Sequence, residues 1–94
     1  MSRVLLGDGT VLAADIGITA GRRVMWIWMR DPADPNNDLT RLSQLLSKPG
    51  AAETITLING GECVEYTGFS RLTSVRIYQA GLVAARMEKE ADNV

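Results

Sequence analysis

The sequence predicts an α+β domain: a mostly antiparallel sheet or sheets of about five to seven strands, forming a hairpin and a C-terminal meander, with one short amphipathic helix. Short apolar runs alternate with glycine-bearing turns along most of the chain, and one central segment carries leucines at helical spacing. The 94 residues suit one domain and not two. We therefore assign residues 1–94 to a single domain and expect the charged residues 88–94 to fray.

The first predicted element is a hairpin, with strands at residues 3–6 and 11–19. The intervening turn contains Asp8 and Gly9, and an Asp-Gly pair flanked by aliphatic residues is a strong β-turn signal. A phosphate-binding loop would need G-x-G-x-x-G spacing or a Lys-Ser/Thr pair, and neither is present. The pattern therefore favours a plain turn over a ligand loop.

The most apolar run of the protein, residues 24–29, predicts a strand that needs cover on both sides. Alternation divides its side chains between two faces, with Val24, Trp26 and Trp28 on one and Met25, Ile27 and Met29 on the other. Neither face is polar. Residues 30–37 follow as a loop, because prolines interrupt a run of Asp and Asn. A calcium loop would need a central glycine and a closing glutamate, which this segment lacks.

The leucines of residues 38–47 form one stripe and predict a helix of about three turns. The stripe consists of Leu39, Leu42, Leu45 and Leu46. We expect Asn37 or Asp38 to cap its start and Pro49-Gly50 to end it. Such a short helix is stable only when its apolar stripe docks, here on the sheet.

Residues 54–87 predict the meander, with strands at 54–59, 62–67, 72–78 and 82–87. The predicted element order is ββ-β-α-ββ-ββ. The side chains expected to share the apolar faces are Ile55, Leu57, Val64, Tyr66, Val75, Ile77, Val83, Ala85 and Met87.

The composition leaves little catalytic equipment. There is no histidine, so the usual general base and the commonest metal ligand are absent from the sequence. We interpret the single cysteine, Cys63, as an ordinary strand residue. Carboxylate pairs such as Asp8 with Asp15, or Glu62 with Glu65, are typical of surface groups. We predict no catalytic residue, no metal ligand and no cofactor; an enzyme would require a site shared between chains.

The formal net charge of −1 and the scattered arginines argue against nucleic acid and membranes as partners. The tryptophan and tyrosine side chains could form a stacking platform for single-stranded nucleic acid, but we favour their packing on the sheet. A single cysteine, no visible signal peptide and no run of about 20 apolar residues lead us to expect synthesis as a soluble cytoplasmic protein.

The strand at residues 24–29 carries the functional expectation. One short helix can cover only part of one sheet face. Each large apolar side chain that stays exposed to water loses roughly 1.5–3 kcal/mol of stabilisation relative to a buried one. We therefore predict an interface at Met25, Trp26, Ile27, Trp28 and Met29, covered by a second copy or by other structural proteins of an assembly. The alternative is a sheet curled into a small barrel or sandwich, which covers itself.

The spacing of several segments also carries a family resemblance. These are Trp26-Ile27-Trp28, the leucine stripe, Ile55-Thr56-Leu57, and the run from Glu65-Tyr66-Thr67-Gly68-Phe69 to Leu72 and Val75. In this order they resemble small uncharacterised proteins of tailed bacteriophages and prophages. The resemblance implies a tail- or baseplate-associated structural role within a virion, and it identifies no functional residues.

Together these observations predict a non-enzymatic structural or assembly protein that acts through protein–protein contacts. The alternative is a small monomeric ligand- or peptide-binding module that uses an exposed sheet edge or an aromatic face.

Overall fold

The computed structural model describes residues 2–19, 21–29 and 33–90 and contains two four-stranded antiparallel sheets and one α-helix in that part of the chain. The strands are β1 (Ser2–Leu6), β2 (Val11–Leu12), β3 (Asp15–Thr19), β4 (Val24–Met29), β5 (Thr54–Asn59), β6 (Glu62–Thr67), β7 (Arg71–Ile77) and β8 (Val83–Glu88). The helix is α1 (Pro35–Leu46), and a 3-10 turn (Gln79–Gly81) precedes β8. The first sheet has the order β2-β1-β5-β6 and the second the order β3-β4-β8-β7. The α+β class is confirmed, whereas the strand count exceeds the predicted range.

The count is higher because the predicted strand at residues 11–19 is two strands. β2 pairs with β1 in the first sheet, and β3 pairs with β4 in the second, so the chain changes sheet between Leu12 and Asp15. Ala14 lies at this crossing and is buried. Its small side chain fits where the backbone passes from one layer to the other, and this break has no signal in the apolar pattern.

The predicted meander is also divided between the two sheets. β5 and β6 pair in the first sheet, and β7 and β8 pair in the second. The chain turns between them at Gly68, which has a φ of 86°, and at the buried ring of Phe69. β1 pairs with β5 along its own whole length, from Ser2 opposite Asn59 to Leu6 opposite Ile55, so the first sheet joins two hairpins from distant parts of the chain.

One core fills the space between the two sheets and α1. The side chains predicted to face inward on β8, Val83, Ala85 and Met87, are fully buried, as predicted. By contrast, Val64 and Ile77 are 45% and 40% exposed, because β6 and β7 are the terminal strands of their sheets. The other buried members of the core are Val4, Leu6, Leu12, Ala14, Met25, Ile27, Leu42, Leu46, Ala51, Ala52, Ile55 and Phe69.

α1 begins at Pro35, earlier than predicted, and Asp34 caps it instead of Asn37 or Asp38. The Asp34 carboxylate accepts a hydrogen bond from the Asn37 backbone N–H at 3.3 Å. Proline is tolerated in the first turn because its missing N–H would be unpaired there anyway, so the prolines of this segment do not exclude a helix. Leu42 and Leu46 of the predicted stripe are buried against the core, and α1 contacts β7 and β8.

The backbone remains hydrogen-bonded to the rest of the fold just after β8. Lys89 and Glu90 donate backbone hydrogen bonds to the carbonyl oxygens of Arg23 and Gly68, at 2.9 and 3.0 Å. Residues 91–94 of the predicted frayed tail lie outside the described residues, as do residues 30–32 of the predicted loop.

Candidate functional site: the aromatic cup of the second sheet

The two faces of β4 have different surroundings. Met25 and Ile27 are fully buried in the core of this same chain, and Met29 packs against that core at the end of the strand. Trp26 and Trp28 leave the sheet on the opposite side and are only half-buried. Of the five residues of the predicted interface, Met25 and Ile27 are closed to a partner, whereas the two indoles, and Met29 at the end of the strand, are partly exposed.

The indoles line an open, apolar depression on the outer face of the second sheet, which we call the aromatic cup. Its volume is about 370 Å³. The accessible part of its lining is apolar. The residues that line it are Gly17, Thr19, Trp26, Trp28, Tyr78, Leu82 and Ala84.

The cup depends on a glycine in the strand beside the indoles. Gly17 lies opposite Trp26 in the β3–β4 register, and Asp15 lies opposite Trp28. A Cβ atom on Gly17 would be 2.8 Å from Cζ3 of Trp28, closer than real contacts allow. The six-membered ring of Trp28 therefore occupies the space that any other residue at position 17 would fill, a known use of glycine within strands.

The far wall of the cup is built by the turn between β7 and β8. The Tyr78 N–H donates to the Leu82 carbonyl at 2.7 Å, and the Gly81 N–H donates to the Tyr78 carbonyl at 3.2 Å. These bonds close a tight turn, with Gly81 at a φ of 75°, and set Tyr78 and Leu82 at the edge of the cup. The rings of Trp26 and Tyr78 are 6.1 Å apart at 77°, the edge-to-face arrangement that aromatic pairs favour. The cup thus has two nearly perpendicular aromatic walls.

Charged side chains surround the apolar lining on the β7–β8 side. Glu88 forms salt bridges with Arg86 at 3.4 Å and with Arg71 at 3.6 Å. Arg86 also donates to the Thr73 hydroxyl at 3.3 Å. Arg76 lies opposite Ala84, so its side chain leaves the sheet on the cup side. Arg76 is exposed and takes part in no salt bridge within residues 2–19, 21–29 and 33–90.

The other candidate groups from the sequence are dispersed. Asp8 lies in the β1–β2 turn, where its carboxylate accepts the Thr10 backbone N–H at 3.0 Å, and this bond lowers the pKa of Asp8. Asp15 begins β3, in the other sheet. Cys63 is exposed on β6. Across the described part of the chain, no three His, Cys, Asp or Glu side chains are placed to hold a metal ion.

A smaller cleft of about 160 Å³ separates the end of β6 from the β3–β4 turn. Arg22 and Glu65 both line it, and Lys89 places its ammonium 5.7 Å from the centre of the Phe69 ring. The remaining lining residues are Ile18, Tyr66 and Thr67. This cleft combines both signs of charge and therefore shows no clear preference for an anion or a cation.

None of the described helices is both long and apolar enough to cross a membrane. The predicted interface includes the two indoles but not Gly17, Tyr78 or Leu82, which line the same surface. An isolated glycine within a strand pattern was the available signal for Gly17, whereas the approach of Tyr78 depends on long-range strand pairing. Comparison with protein-family models, curated proteins and solved structures found no match.

Proposed function

We propose that this protein is a non-enzymatic structural or assembly subunit that acts through protein–protein contacts, and that the aromatic cup is its contact surface. A second copy, or another structural protein of an assembly such as a phage particle, would cover the cup. The observation that carries this proposal is the direction of Trp26 and Trp28, which point away from a core that Met25 and Ile27 already fill.

Energetics support the choice of the outer face. A fully buried large apolar side chain contributes roughly 1.5–3 kcal/mol relative to an exposed one, so the partly exposed indoles leave part of that free energy unrealised. Tryptophan and tyrosine are also the residues most enriched among those that dominate binding energies at protein interfaces. A partner that covers Trp26, Trp28 and Tyr78 together would gain from all three.

Where the partner is a second copy, the proposal predicts self-association that covers the indoles. Light scattering over a range of protein concentrations should show a rising mean mass, and acrylamide quenching of tryptophan fluorescence should fall over the same range. Trp28→Ala should weaken association by about tenfold or more, as expected for truncation of a central interface residue.

Val11→Ala is the matched control, because Val11 is 50% exposed on the first sheet, away from the cup. Its association should equal that of the wild type, and circular dichroism should show that both variants fold. A wild-type protein that stays monomeric throughout, with its indoles open to acrylamide, would contradict assembly by self-contact.

The size of the cup favours a second candidate function, a monomeric module that binds a peptide or a small apolar ligand. A volume of about 370 Å³ lies within the range of small-molecule sites in proteins. Saturable quenching of Trp26 and Trp28 fluorescence by a ligand, in a protein that light scattering shows to be monomeric, would favour this function over assembly.

A further inference from the structure

We infer that the aromatic cup receives a proline-bearing segment of a partner protein, with an acidic residue of that segment placed beside Arg76. The inference rests on the proposed function, because it takes the cup to be a protein contact surface, and it adds the chemistry of the segment that the cup accepts.

The apolar lining restricts what can enter. The accessible surface of the cup is apolar, so a backbone N–H placed against it would lose its water without meeting an acceptor, which costs free energy. Proline has no backbone N–H, and a polyproline II segment is already extended, so little conformational entropy is lost on binding. Aromatic-lined grooves are a general means of binding such segments. The perpendicular rings of Trp26 and Tyr78 form walls of this kind.

The size of the apolar area favours a narrow segment over a flat protein surface. A stable interface buries about 800 Å² on each partner. The cup is lined by a few side chains, and the same sheet face carries Arg71, Arg86 and Glu88 beside it. Two copies laid face to face would bring these charged groups together and remove their water, whereas an inserted segment leaves the salt bridges in solvent.

The charge on the β7 side of the cup favours an acidic residue in the segment, because Arg76 lies there, whereas Asp15, opposite Trp28, places a carboxylate on the β3 side. Arg86 and Arg71 already contact Glu88, whereas Arg76 is exposed, lies on the cup side of the sheet and forms no salt bridge with the described residues. A carboxylate beside the cup can pair with Arg76. Because such a pair is exposed, its effect on affinity should be modest, about two- to fivefold.

The test uses three blocked nonapeptides, with the repeats Pro-Pro-Glu, Pro-Pro-Lys and Gly-Gly-Glu, added to dilute protein while tryptophan fluorescence is recorded. We expect saturable binding of the Pro-Pro-Glu peptide, binding about two- to fivefold weaker for the Pro-Pro-Lys peptide, and no saturation with the Gly-Gly-Glu peptide. Arg76→Glu should reverse the order of the two proline peptides. Arg41→Glu, at an exposed position of α1, is the matched charge control and should leave the order unchanged.

Gly17→Ala tests the cup itself, because the added methyl group must displace the Trp28 ring. We expect at least fivefold weaker binding of the Pro-Pro-Glu peptide, while the same change at Gly61, which has open space around it, should have no effect. Circular dichroism establishes that each variant folds.

Failure of all three peptides to bind the folded wild-type protein, or a preference unaffected by Arg76→Glu, would overturn the inference. The proposed function would survive that result if self-association still depended on Trp28. The proposed function would also be contradicted if the protein remained monomeric with its indoles open to quencher. The experiments therefore distinguish failure of the inference from failure of the proposed function.

Discussion

Arg22 is the one non-glycine residue with a positive φ among residues 2–19, 21–29 and 33–90. Gly21 and Arg22, at φ values of 66° and 67°, follow one another in the turn between β3 and β4. Two successive residues of this kind define a turn whose twist matches that of the flanking strands. The left-handed region suits Gly21, whereas the Cβ of Arg22 crowds its own backbone there.

Replacing Arg22 by glycine should therefore raise the free energy of unfolding by about 0.5–1 kcal/mol, the gain from relieved strain less the added entropy of the unfolded chain. The matched control is Arg23→Gly, which removes the same charge at a residue without a positive φ. This control should lower the free energy of unfolding by about 0.5 kcal/mol. Urea denaturation of both variants measures whether the free energy of unfolding rises for Arg22→Gly and falls for Arg23→Gly. Equal decreases in both variants would contradict the assignment of strain to Arg22.

Asp8 gives the β1–β2 turn a dependence on pH. The Thr10 backbone N–H donates to its carboxylate, and this bond to the charged form lowers the pKa of Asp8 in the folded state. A lowered folded pKa means that the contribution to stability is complete above the unfolded pKa, about 4, and is lost as pH falls through the folded pKa.

We expect Asp8→Asn to remove that dependence. The stability difference between wild type and variant should be constant from about pH 7 to pH 5 and should shrink below about pH 4. Denaturation curves at a series of pH values measure it, with Asp15→Asn as the control. A difference that grows on acidification would show that the sign is wrong.

The start of α1 is an element for which sequence and structure differ. The N-cap position accepts Asp and Asn about equally well, so residue type alone does not distinguish Asp34, Asn37 and Asp38. The structure chooses Asp34 because Pro35 can occupy the first helical position, and the Asp38 N–H then donates to the Asp34 carbonyl at 2.9 Å. Both effects of proline agree with this start: the residue before a proline avoids the α region, as Asp34 does at φ −138° and ψ 89°, and Pro35 suits the first helical position.

The cap assignment predicts that Asp34→Ala lowers the free energy of unfolding by about 1 kcal/mol, because the first-turn N–H of Asn37 loses its acceptor. Asn36→Ala, at an exposed position one residue into the helix, should be neutral or slightly stabilising because alanine is the better helix former. Thermal denaturation compares the two. A larger loss for Asn36→Ala than for Asp34→Ala would place the cap elsewhere.

β4 shows how far the sequence predicts the candidate site. Alternation separated Trp26 and Trp28 from Met25 and Ile27, and the structure has the same division. The sequence could not decide which face was internal, because both are apolar and the answer depends on where the opposing sheet, with β1 and β5 as its central strands, packs. The core covers the Met25 face from within the chain, as in the sandwich alternative, so the proposed partner contact lies on the indole face.

At the scale of the whole molecule, the sequence does not predict which distant strands pair with one another. Glycine-bearing turns predicted the β5–β6 hairpin, and alternation predicted the inward residues of β8, because both signals lie within a few positions. The pairing of β1 with β5, and of β4 with β8, joins segments about 50 residues or more apart, and no local pattern encodes such a register. The two sheets nevertheless share one core, which has a measurable consequence.

Because Ile55 of the first sheet and Ile27 of the second are both fully buried in that core, the sheets should unfold together. Both tryptophans lie on β4, so tryptophan fluorescence reports on the second sheet alone, whereas far-UV circular dichroism reports on both. Ile55→Ala should lower the free energy of unfolding by about 2–5 kcal/mol and shift the fluorescence and dichroism transitions equally.

Val64→Ala is the control within the same sheet, since Val64 is 45% exposed, and its effect should be within about 1 kcal/mol. If Ile55→Ala moved the dichroism transition but left the fluorescence transition where the wild type has it, the second sheet would be stable without the first. The aromatic cup would then be carried by a separately folding unit, and Gly17, Trp26 and Tyr78 would keep their arrangement without the first sheet. Coincident transitions would instead mean that the cup exists only while the shared core is intact.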